Sequence, residues 1–122
     1  MNMWLIASGI ALSLLNLVHI FLGGREIHHP MVAADWPEPA KAIWSVVWHI
    51  TTAMMLFGGL ALITAGLRPE QALALAAVPL ALTGSAAVLF MVYSLSRLGT
   101  LRILPHWAAF GAITVVGFIG LV

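Results

Sequence analysis

Apolar residues fill four long stretches of this chain, and every formally charged residue falls in three short windows between them: Arg25 to Lys41, Arg68 to Glu70 and Arg97 to Arg102. The stretches cover about 3–22, 42–67, 72–96 and 103–122. Each supplies the roughly 20 apolar residues with which a helix crosses the hydrocarbon of a bilayer. The pattern predicts an all-α integral membrane protein: one domain over 1–122, folded as an antiparallel four-helix transmembrane bundle with a long loop over 24–41. The other two links are so short that successive helices must reverse direction.

Local punctuation agrees with these limits. Gly23-Gly24 is expected to end the first helix, Gly66 and Pro69 the second, and Gly99 the third, while Pro39 and Pro105 fit first-turn positions. Pro79 interrupts the third stretch and should bend it. The first stretch is read as a retained helix rather than a secretion signal. It lacks a basic leading segment, and the small residues Val32-Ala33-Ala34 lie well beyond its end.

Composition narrows the function. Hydrophobic residues make up 62% of the chain and charged ones 7%, with mean hydropathy +1.08, so a soluble domain of this size has too little interior to bury them. A net charge of +1 without a basic run speaks against nucleic acid as a partner. No phosphate-binding glycine motif is present, which speaks against nucleotides. The absence of cysteine removes thiolate metal sites and thiol nucleophiles.

Antiparallel helices place Arg25, Lys41, Arg97 and Arg102 at one end of the bundle and Arg68 alone at the other. By the excess of positive charge, the first end faces the cytoplasm of a bacterial inner membrane, with both termini outside. All five histidines, His19, His28, His29, His49 and His106, gather at that same end, together with Trp36, Trp44, Trp107 and Tyr93.

Steps of three and four define the inward faces. On the first helix they give Gly9, Leu12, Asn16, His19 and Gly23; on the second, Ser45, His49, Thr52, Gly59 and Gly66. His19 and His49 then fall at comparable depth. Ionisable groups inside hydrocarbon are expensive and need partners, and the neutral imidazole that burial favours is also the metal-binding form. His19 and His49 are therefore the principal candidate ligands for a transition metal ion or haem. His106, Glu26 and His28 are candidates to complete the site, and Asn16 and Thr52 to orient the rings.

The expected function is redox chemistry, metal handling or chemistry on a lipid-soluble substrate at this histidine cluster, with enzyme status left open. The alternatives are a small proton- or ion-coupled carrier lined by His19, Asn16 and His49, and an accessory subunit of a larger membrane complex. Small residues four apart, such as Gly9 and Ser13 or Ala108 and Ala112, suit close helix packing and a homodimer or larger assembly. The charge asymmetry yields a direct expectation for orientation. A cysteine replacing Ala34 should resist an impermeant thiol reagent in intact cells and react after permeabilisation, whereas labelling in intact cells would reverse the topology.

Overall fold

A computed structural model describes all 122 residues. Its only regular secondary structure is helical, without strands, and it forms four helices. They are α1, Met3–Ala33; α2, Glu38–Leu67; α3, Ala72–Tyr93, prolonged by a π-helical turn over Ser94–Leu98; and α4, His106–Ile119. A short 3-10 turn, Pro69–Gln71, joins α2 to α3.

The largest departure from expectation lies in α1. It does not end at Gly23-Gly24. After the α-helical Met3–Val18, the chain continues as a π-helix over His19–His28 and closes with an α-helical turn, His29–Ala33. The long loop expected over 24–41 therefore shrinks to residues 34–37. Glycine ends a helix when it takes a left-handed conformation, and only Gly99 does so here, at φ 65°. Pro30 is accommodated because the wide turn ahead of it carries the His29 N–H to the carbonyl of Gly24, five residues back. The proline ring thereby escapes the crowding it meets in a regular helix. Pro37 and Pro39 in turn start α2 four residues earlier than expected, because their fixed φ suits a first turn.

The fourth stretch is corrected in the opposite sense. Instead of 103–122, only the 14 residues His106–Ile119 are helical, because Pro105 sits at the cap and Ile103 and Leu104 precede it in irregular structure. Three helices, α1, α2 and α3 with its flanking turns, are long and apolar enough to cross a membrane; α4 is apolar but shorter.

Each helix packs on two neighbours, α1 and α3 both lying between α2 and α4. The α1–α2 seam is antiparallel and glycine-lined. Gly9 lies against Gly59 and Ile63, Gly59 against Ser13, and Gly66 against Asn2 and Ile6. Leu5, Leu12, Met55, Leu62, Ala65, Ala76, Leu80 and Ile113 fill the centre. Only 19 of 122 residues are buried, and outward side chains such as Phe21, Phe57, Leu73 and Val78 are more than 60% exposed. So large an apolar exterior requires apolar surroundings, which agrees with a membrane protein.

Buried polar groups in the half remote from the histidines are satisfied within the chain. Ser8 Oγ donates to the Ile113 carbonyl at 2.8 Å, and Thr114 Oγ1 to Thr83 Oγ1 at 2.8 Å. Asn2 ties three helices together. Its side-chain oxygen caps α1 by accepting from Trp4 and Leu5, its backbone N–H donates to Gly66, and its side-chain amide donates to Gly120.

The glycine seam makes a measurable demand. A Cβ on Gly9 would lie 2.7 Å from the Gly59 carbonyl, whereas one on Gly24 would meet nothing within 4 Å. Gly9→Ala and Gly59→Ala are each expected to lose about 1–3 kcal/mol by overpacking. Gly24→Ala should be nearly neutral. Denaturant unfolding in detergent checks the difference, and equal effects at all three positions would show that the seam is not the tight contact.

Candidate functional site

The histidine end of the bundle is organised around a tryptophan. Trp48 of α2 stacks on His19, with ring centres 4.0 Å apart and planes 18° from parallel, and on His28, at 5.0 Å and 22°. In a regular helix the nine residues from His19 to His28 span about two and a half turns, which would point the rings to opposite sides. The π-helix, at about 4.4 residues per turn, brings the interval close to two whole turns, and both imidazoles face Trp48. Gly23 lies between them in sequence and leaves room for the indole. A Cβ there would stand 3.0 Å from its edge.

Further rings extend the cluster. His28 meets His49 edge to face at 5.7 Å, His29 at 6.0 Å, and Trp44 lies 6.2 Å from Trp48. His49 is exposed, and its Nδ1 bonds the carbonyl of Ser45 one turn earlier at 2.6 Å. That bond makes Nδ1 the protonated nitrogen and leaves the lone pair on Nε2. Across the bundle, His106 at the start of α4 stacks on Phe90 of α3 at 4.7 Å.

Hydrogen-bonding capacity at this end is left over. His19 Nε2, His28 Nδ1, His106 Nδ1, Asn16 Oδ1, Ser94 Oγ and Trp44 Nε1 are all buried without a hydrogen-bond partner. Unsatisfied buried polar atoms are rare, and each calls for an explanation such as a bound group. Here they gather at one end.

The structure distributes the sequence candidates as follows. His19 lies against Trp48 and His49 beside His28, so Trp48 stands on the face where those two rings were expected to converge. Glu26 is exposed on the π-helix, and the ion pair of this region joins Lys41 and Glu38 instead, at 3.1 Å. No three of the His, Asp and Glu side chains form a group able to hold a metal ion, so His19, His49, His106, Glu26 and His28 are not assembled as one ligand shell. The physical reason is the phase change in α1, which turns His28 toward α2 while Glu26, two residues earlier, points outward. Thr52 donates to the Trp48 carbonyl of its own helix at 3.0 Å, and Asn16 leaves its oxygen unpaired; neither hydrogen-bonds an imidazole.

Trp48 is the site residue that the spacing analysis passed over. No protein-family model matches this chain, and neither a curated protein nor a solved structure matches it.

If Trp48 is the keystone of this end, its removal should be felt beyond its own volume. Trp48 is half-buried, so Trp48→Ala is expected to destabilise the fold by about 3 kcal/mol, the low end of the range for loss of a large aromatic from a core. Trp48→Phe should retain part of the stack, and Trp36→Ala, at an exposed residue, should change little. Thermal unfolding followed by circular dichroism gives the comparison; equal losses for Trp48→Ala and Trp36→Ala would show that the stack adds nothing.

Proposed function

We propose that this chain is an integral membrane protein of the bacterial inner membrane whose histidine end binds a transition metal ion, with His28 and His49 as the ligand pair. The observation that carries the reading is the edge-to-face approach of these two rings at 5.7 Å. Two imidazoles bound to one ion, each nitrogen about 2.0–2.1 Å from it, have ring centres about 5–6 Å apart. The Ser45 carbonyl fixes the His49 ring from behind, as outer partners of metal-bound histidines commonly do.

A metal ion is favoured over haem because Trp48 fills the space between His19 and His28, where a porphyrin held by those two rings would have to lie. Two protein ligands leave positions open for water, for a substrate, or for the same pair from a second copy in a homodimer, which would bring the shell to four imidazoles. The exposure of His49 suits such an approach. Redox chemistry, metal handling and metal-assisted chemistry are all compatible with an open shell of imidazole ligands. The carrier reading receives less support, since the half of the bundle remote from the histidines is closed by apolar packing and satisfied polar groups.

Protein purified in detergent without chelators should contain a first-row transition metal at one ion per chain or one per pair of chains by elemental analysis. His28→Ala and His49→Ala should each lose it, and His29→Ala should keep it. A haem Soret band, or metal content unaffected by the first two replacements, would overturn the assignment.

A further inference from the structure

At the His28–His49 pair the chain supplies two nitrogen donors and no more. His49 offers Nε2, because its Nδ1 is held by the Ser45 carbonyl, and His28 has a buried Nδ1 without a hydrogen-bond partner. No third imidazole and no carboxylate joins them to make a metal-holding group of three, and the chain has no cysteine. His29 does not complete such a group although its ring centre is 6.0 Å from that of His28. Glu26 is exposed, and Glu38 is held by Lys41. Both donors are uncharged in the form that binds metal, and the indole of Trp48, stacked on one face of His28, adds no charge.

Donor number, charge and spacing together discriminate among ions. Zinc takes four ligands, and divalent nickel and copper favour planar or larger shells, so each would have to draw half its shell or more from outside this chain. A divalent charge between neutral donors is also costly. The Born term grows with the square of the charge and is about four times that of a monovalent ion of the same size. The rings, finally, are set wide. With nitrogens about 2.0–2.1 Å from one ion, ring centres stand about 4.5 Å apart at a right angle, about 5.2 Å at a tetrahedral angle and about 6.4 Å in line. The separation here is 5.7 Å, beyond the tetrahedral value.

We infer that the His28–His49 pair holds monovalent copper as a two-coordinate ion. The cuprous ion has a filled d shell, is satisfied by two nitrogen donors at a wide angle and brings a single positive charge. It is the first-row ion for which this chain alone supplies a full shell. The inference rests on the metal reading above and narrows it to one element in one oxidation state.

The test uses chelator-stripped protein in nanodiscs under argon, titrated with cuprous ion against a chromophoric cuprous chelator and, in parallel, with zinc and nickel. One cuprous ion per chain is expected, bound at least about tenfold more tightly than either divalent ion. Copper X-ray absorption should show two nitrogen donors. His28→Ala and His49→Ala should each abolish stoichiometric binding, and His29→Ala should keep it, with circular dichroism confirming that all three variants are folded. Zinc or nickel held more tightly than copper through His28 and His49, or three or four nitrogen donors around copper, would overturn the cuprous assignment while leaving a metal at this pair. Binding of no ion that depends on the two histidines would remove both readings together.

Discussion

The close approach of α1 to α2 through glycine governs what the rest of this molecule can do. Gly9, Gly59 and Gly66 let two backbones meet with no side chain between them, and that contact sets the register along the whole seam. A register fixed at Gly9 and Gly59 also fixes which residue of α2 arrives opposite Gly23. It is Trp48, the largest side chain available, delivered to the one place on α1 where a missing Cβ leaves room for it. Van der Waals packing of this kind is the principal force holding helices together once lipid replaces water outside, because burying apolar surface against protein then brings little advantage over burying it against lipid. The stacked rings and the glycine seam are thus parts of one contact surface.

Much of the fold was legible in the spacing of apolar and charged residues. Four helical stretches, the turn between α2 and α3, and the gathering of histidines at one end all follow from residue positions alone. The inward face of α1 was also readable, since Gly9, Leu12 and Asn16 are buried as their spacing requires. On α2 two stripes competed. The stripe through Ser45 and His49 carries the titratable group, yet Trp48, Thr52, Met55, Gly59, Leu62 and Gly66 keep an unbroken alternation of steps of four and three, and the buried Met55, Gly59, Leu62 and Gly66 lie on it. His49, one residue along from Trp48, is turned about 100° to the side. The unbroken stripe was the better guide, and it points to Trp48.

What spacing could not reveal was the π-helix. A period of 3.6 is built into every inference about which residues share a helical face, and over His19–His28 that period does not hold. Gly23-Gly24 and Pro30 resemble a helix end in sequence, but here they accompany a widened helix that continues. This single change in winding accounts for the missing loop, for the pairing of His28 with α2 and for the outward position of Glu26. The unpaired atoms of Asn16, Ser94 and His106 likewise depend on how four helices meet, which no one-dimensional spacing encodes.

The Asn2 network bears on the order in which the molecule is completed. Its side-chain amide bonds the carbonyl of Gly120, a partner 118 positions away, while its backbone N–H bonds Gly66. During synthesis the start of α1 must therefore wait, first for the end of α2 and then for nearly the entire remaining chain, before its bonds can close. Until α4 is made, one side of α1 has no neighbour, and Leu5 and Ser8 lack the partners that bury them in the finished bundle. The Asn2 amide thus acts as a late clasp, closing between first and last helices only after the ring of four is complete.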